Sequence, residues 1–154
     1  RVFEVIKKEV ARHPDVEVIY PVHLSPKVQQ AAQAVFKDEP RVHLIAPLDV
    51  VDFHNLAARS YLIMTDSGGV QEEAPSLNKP VLVLRDETER PEGVKAGTLR
   101  LVGTDPNRVA QAMEELLCDQ TVYQKMAQAP NPYGDGHAAE RIVAICKQFL
   151  NTKN

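Results

Sequence analysis

A chain of 154 residues, 44% apolar and 25% charged, has the size and composition of one globular domain. Its two cysteines, seven glycines and eleven prolines exclude a disulfide scaffold, a collagen-like repeat and a low-complexity polymer. A net charge of −3 without long like-charge blocks argues against a nucleic-acid surface, and apolar runs as short as Val81-Leu82-Val83-Leu84 cannot build a membrane span.

The chain opens inside an amphipathic segment, without Met and without a capping residue, as a piece of a longer polypeptide would. Val2, Phe3, Ile6 and Val10 recur at helical spacing, which predicts a helix from Val2 to about His13. The β-branched run 16–20 is a strand. Ser25-Pro26 then reads as an N-cap followed by proline at the first helical position, opening a helix through 27–36. A second strand over 41–46 ends at Pro47, and Asp49 caps a helix over 50–59. Residues 61–65 form a third strand, Asp66-Ser67-Gly68-Gly69 a tight loop, and 70–77 a short helix confined by Pro75. A fourth strand over 81–85 precedes a long polar loop to Gly97. A fifth strand covers 98–103, and Thr104 or Asp105 with Pro106 starts the next helix. Helices over 120–128 and 137–150 flank a loop, Asn-Pro-Tyr-Gly-Asp-Gly (131–136), that is a backbone anion nest or simply a helix start; the latter is favoured. No leader with an apolar core is visible.

Strands separated by short helices make βαβ units. The fold class is therefore α/β, with five parallel strands in one Rossmann-like sheet flanked by helices. Ligands of such sheets sit at the carboxyl ends of the strands. The loop after the third strand carries the strongest signal there. Ser67, Gly68 and Gly69 remove bulk, so backbone N–H groups can approach a ligand closely, and a helix N-terminus behind them suits a phosphate. A serine-capped βα turn without a ligand explains the same residues. Glu72 and Glu73 favour the helix dipole, yet either would repel a bound diphosphate directly. With a nucleotide bound, one of them should accept hydrogen bonds from ribose hydroxyls, and Glu73, a turn away from the phosphate, is better placed. Arg85 and Arg90 lie among four acids, where an arginine either meets a phosphate or pairs within its own loop.

His23 follows the first strand and lies where a ligand donor belongs. His54 reads as a structural polar contact; His13, His43 and His137 carry no signal. Cys118 and Cys146 sit in helical patterns without CxxC spacing and read as inert thiols. With no HExxH motif, Cys/His cluster or nucleophile elbow, the pattern predicts neither a metal site nor a cofactor.

Taken together, YPVHLSP, LDVVDFHNLAARS, TDSGGVQEEAPSL, KPVLVLRDETERPEGV, LVGTD and NPYGDG, in this order, resemble the bacterial non-hydrolysing UDP-N-acetylglucosamine 2-epimerases over nearly the whole chain. The resemblance implies the carboxyl-terminal half of a glycosyltransferase-B-like, two-domain architecture. Residues 1–154 would be its UDP-binding domain, lacking that domain's first strand. The family's reaction is reversible elimination of UDP across C1–C2 of the sugar and re-addition on the other face. Its catalytic carboxylates belong to the amino-terminal domain, so no catalytic residue is expected here.

Carried over by position, Ser67, Gly68 and Gly69 would hold the diphosphate and Glu73 the ribose. Arg90 would approach the phosphates, while Phe53 and the backbone at Leu48 would contact uracil. His23 would line the cleft, at a regulatory second UDP-sugar site in some members. Asn78 stands where glycine is usual, and Glu87 replaces a usual threonine. The resemblance further implies a cytoplasmic homodimer, through the other domain, that makes precursor for surface polysaccharide, with UDP and UDP-N-acetylglucosamine as its partners. A hydrolysing epimerase, a glycosyltransferase domain and a non-catalytic nucleotide-binding module remain as alternatives.

Overall fold

The computed structural model describes residues 1–151. All five strands are present and every pair is parallel: β1 (Val18–Pro21), β2 (Val42–Ile45), β3 (Ile63–Thr65), β4 (Val81–Val83) and β5 (Leu99–Leu101). Eight helices alternate with and follow them: α1 (Val2–Arg12), α2 (Pro26–Phe36), α3 (Val50–Arg59), α4 (Gly68–Glu73), α5 (Pro91–Ala96), α6 (Pro106–Cys118), α7 (Gln120–Ala127) and α8 (Ala138–Asn151). This is the Rossmann-like α/β arrangement expected.

The single sheet is a correction. Among the described residues β1 pairs only with β2, while β3, β4 and β5 form a separate sheet in that order. The cause lies in the doubly wound order 3-2-1-4-5-6, where the first strand is bonded to both the second and the fourth. Here the described chain begins with α1 rather than a strand. β1 and β3, which take the second and fourth places, therefore have no strand between them to carry the ladder across.

Side chains join what the backbone does not. Val5 of α1 enters the core formed by Leu82, Val102, Val109, Met113 and Leu116. Val10, about a turn and a half on, enters a second core with Ala32, Phe36 and Val42 under the β1–β2 pair. A third cluster of Ala74, Val81, Val83 and Leu99 packs the other face of β4. β4 is fully buried, which suits its unbroken Val-Leu-Val run. α8 differs from every other helix: it buries no residue, and Ile142, Val143, Ile145, Phe149 and Leu150 are all exposed. No helix of the described residues is long and apolar enough to cross a membrane.

Three local expectations change. Gly68 and Gly69 belong to the first turn of α4 rather than to a loop preceding it, and Pro75 converts the end of that segment into a 3-10 turn over Ala74–Leu77. Asn78 ends the turn with φ 55°, the left-handed conformation that asparagine tolerates. The polar loop 85–97 contains α5, whose start at Pro91 and stop at left-handed Gly97 were signals available in the sequence. Asp105, rather than Thr104, caps α6, and its carboxylate accepts from the amides of Asn107 and Arg108 at 3.0 Å each.

Asp105→Ala is expected to lower the unfolding free energy by about 1 kcal/mol, the usual worth of an N-cap. A urea titration that leaves the midpoint unchanged would show that the cap contributes nothing to the fold.

Candidate functional site

The expected site residues gather at the carboxyl ends of the strands, on either side of the break between the sheets. Ser67, Gly68 and Gly69 follow β3, which borders the break. Ser67 is exposed and serves as N-cap of α4, but its hydroxyl makes no capping bond; its amide donates to the Thr65 hydroxyl at 3.0 Å. The glycines earn their place by proximity. A Cβ on Gly68 would begin 3.8 Å from the Arg90 guanidinium, so the arginine lies directly against this turn.

A chain of bonds places Arg90. Gln71, fully buried on α4, accepts from the Thr88 hydroxyl at 2.6 Å, and that same hydroxyl accepts from the Arg90 amide at 3.0 Å. On the other side, Tyr133 donates its hydroxyl to the Arg90 carbonyl (3.2 Å) and accepts from the Gly93 amide (3.0 Å). Gly93 is compelled by this contact: a Cβ there would lie 2.5 Å from both the Tyr133 oxygen and a Leu99 methyl. The Asn-Pro-Tyr-Gly-Asp-Gly loop is thus more than a helix start, because its tyrosine fixes the arginine loop. Sequence spacing missed Tyr133, which meets Arg90 only through the tertiary fold, and Gln71, which reaches it only by way of Thr88 two residues before the arginine.

Both arginines near the turn, and Glu73, already have partners. The Arg90 Nε–H donates to Glu72, and this bond, more than the plain charge attraction, holds the arginine above its ordinary pKa. Arg85 grips Glu89 with two bonds of 2.9 and 3.1 Å. Glu89 titrates below the usual carboxylate range through a backbone hydrogen bond first and Arg85 second. Glu73 meets His54 Nε2 at 2.9 Å, with both side chains about half exposed. His54 is therefore a polar contact, as expected, and its partner is the acid assigned to ribose.

The remaining expected residues stand nearby in the fold. Phe53 sits on α3 beside His54, with ring centroids 6.0 Å apart. Leu48 lies half-buried in the turn between β2 and α3. His23 is exposed after β1, where its Nδ1 accepts from the Ser25 amide at 3.1 Å. Thus the structure brings Gly68, Arg90 and Glu72 into one group and Glu73, His54 and Phe53 into a second. Among the described residues, neither His23 nor Leu48 hydrogen-bonds to a member of either group.

A family model described as UDP-N-acetylglucosamine 2-epimerase matches residues 1–147. The chain belongs to this family. A Bacillus subtilis UDP-N-acetylglucosamine 2-epimerase is 62% identical over 141 residues, covering 92% of this chain and 37% of the relative. Among solved structures, an S. aureus MnaA–UDP co-structure superimposes with a TM-score of 0.91 at 54% identity, over 97% of this chain and 41% of that one. The Neisseria meningitidis UDP-GlcNAc 2-epimerase bound to UDP-GlcNAc gives 0.89 at 41% identity, over 96% and 40%. This chain therefore spans well under half the length of the epimerases it matches.

Tyr133→Phe should remove both bonds to the Arg90–Gly93 segment while leaving the ring in place. Loss of one such bond is worth about 1 kcal/mol, so exchange of the Gly93 amide is expected to accelerate roughly fivefold. Unchanged protection of residues 90–96 would show that the tyrosine does not hold the loop.

Proposed function

We propose that residues 1–154 form the UDP-binding domain, in a glycosyltransferase-B-like architecture, of an enzyme that interconverts UDP-N-acetylglucosamine and UDP-N-acetylmannosamine by elimination and re-addition of UDP. The observation that carries this reading is the placement of the Arg90 guanidinium against Gly68, at the N-terminus of α4 and at the carboxyl end of β3. A strand end, a glycine turn, a helix start and an arginine converge there, and that set suits a diphosphate. Family membership, and the UDP and UDP-GlcNAc bound in similar structures, support the same ligand.

In this reading Ser67, Gly68 and Gly69 hold the diphosphate, and Arg90 exchanges Glu72 for a phosphate oxygen. Glu73 turns from His54 toward the ribose hydroxyls. Phe53 and the backbone at Leu48 flank the uracil, and His23 lines the cleft. The role in the reaction is leaving-group stabilisation: UDP departs with added charge, and donors positioned in advance lower the barrier to its departure. The carboxylates that move the C2 proton come from outside residues 1–154. The working form is proposed to be a cytoplasmic homodimer supplying surface-polysaccharide precursors. Its partner is a nucleotide sugar rather than a nucleic acid, which the net charge of −3 favours.

Two measurements test this. Calorimetry on the intact polypeptide should show UDP bound in preference to ADP, with Glu73→Ala weakening UDP by about tenfold or more and Glu72→Ala by less. Equal losses remove Glu73 from the ribose role. The intact enzyme should also exchange solvent deuterium into C2 of the sugar, whereas a glycosyltransferase or a non-catalytic binder leaves C2 unlabelled.

A further inference from the structure

On the side of α1 that faces α6, away from the nucleotide site, four potential metal ligands converge. Glu9 and His13 are four residues apart at the end of α1. Glu114 and Cys118 are four residues apart at the end of α6. Each pair therefore lies on one helix face, and the two faces meet. His13 Nε2 is 2.8 Å from a Glu114 oxygen, and Cys118 Sγ is 3.6 Å from the other oxygen of Glu114. One donor atom from each of His13, Glu114 and Cys118 falls within 4.8 Å of the other two. Glu9 stands beside these three, with its Oε2 3.9 Å from His13 Nε2.

Ion pairing accounts for only part of this arrangement. A His13–Glu114 hydrogen bond satisfies those two groups. Arg12 satisfies Glu9 Oε1 at 3.1 Å. Glu9 Oε2, however, has no hydrogen-bond partner, although only 3% of the side chain is exposed. A buried carboxylate oxygen without a donor is costly, and this one faces the imidazole nitrogen. Cys118 stands beside a carboxylate as well, so nothing in the protein favours its thiolate. A cation at the centre would satisfy the orphaned oxygen and take the Cys118 sulfur as a thiolate in place of its proton.

We infer that Glu9, His13, Glu114 and Cys118 form a zinc site that ties α1 to α6. The mixed nitrogen, sulfur and oxygen donors select a borderline-soft ion over magnesium or calcium, which prefer oxygen alone. Tetrahedral zinc with ordinary bond lengths holds neighbouring donors roughly 3.3–3.7 Å apart. One donor atom each of His13, Glu114 and Cys118 lies within 4.8 Å of the other two, and Glu9 Oε2 lies 3.9 Å from His13 Nε2, so side-chain rotations bring the donors onto the ion. Two carboxylates and a thiolate leave the complex one charge negative, and Arg12 on Glu9 lies against that charge. The Cys118 proton leaves to solvent on binding. Protein ligands fill all four positions, so the role is structural. The assignment revises the expectation of no metal site: the two ligand pairs lie about a hundred residues apart in the chain, and no contiguous motif announces them. It is independent of the nucleotide reading.

Cobalt(II) is the probe. One equivalent added to the metal-free intact polypeptide should give visible bands of tetrahedral cobalt and a thiolate-to-cobalt charge-transfer band, both displaced by zinc. Cys118→Ser, at an exposed position where folding is secure, should abolish the charge-transfer band. Glu9→Gln should weaken zinc binding by about tenfold or more. Zinc should raise the unfolding temperature of the parent protein and leave that of Cys118→Ser unchanged. Absence of the charge-transfer band, its survival in Cys118→Ser, or undiminished zinc affinity in Glu9→Gln would each overturn the assignment.

Discussion

The fold depends on α1 serving two cores at once. Its Val5 packs with β4 and α6, and its Val10 packs with α2 and β2, while no backbone ladder runs between the two sheets. Polar contacts reinforce the same helix. Lys7 donates to the Val35 carbonyl at the end of α2 (2.8 Å), and Arg41, just before β2, donates to the His13 carbonyl (2.8 Å). Hydrophobic burial is non-directional, so it holds two sheets side by side without specifying strand register. Register is set within each sheet by its own parallel pairs.

The candidate site follows a second constraint, that of charge. Arg85 and Arg90 each rest on an acid, Glu89 and Glu72 in turn. Half-exposed pairs of this kind are worth little, roughly 0–1 kcal/mol each, so an incoming anion displaces the acid at small cost. The acids hold the cations in extended, aimed conformations until then. In the proposed reading, binding becomes an exchange of partners on a surface whose geometry is set by neutral groups: buried Gln71 and half-buried Thr88 and Tyr133. The cations provide attraction and the neutral network provides position.

Periodicity located every strand and most helices because those signals are local. Val2, Ile6 and Val10 mark α1, and Asp49 caps α3 as read, its carboxylate accepting from the Asp52 amide at 2.9 Å. The Ser67–Gly69 turn was legible for the same reason: strand, glycines and helix are contiguous. Contacts between distant segments were illegible. Nothing in the residues around Tyr133 announces a bond to Arg90, 43 positions away in the chain. Nor does the pattern around His13 announce Glu114, 101 positions away. α5 was missed for another reason. Its Pro91 and Gly97 were visible, but the density of charge in 85–92 outweighed two correct helix signals.

The uncovered stripe on α8 sets a practical condition on the chain by itself. Ile142, Ile145 and Phe149 recur at helical spacing, each more than half exposed, and Val143 and Leu150 widen the band. Hydrating so large an apolar strip is unfavourable, and the resulting attraction between copies is non-specific. Its strength rises on warming from the cold, unlike that of ion pairs screened by added salt. Clouding of a concentrated solution should therefore respond to temperature and to kosmotropic salts first. The helix that contributes least to the folded interior governs how the molecule behaves as a colloid.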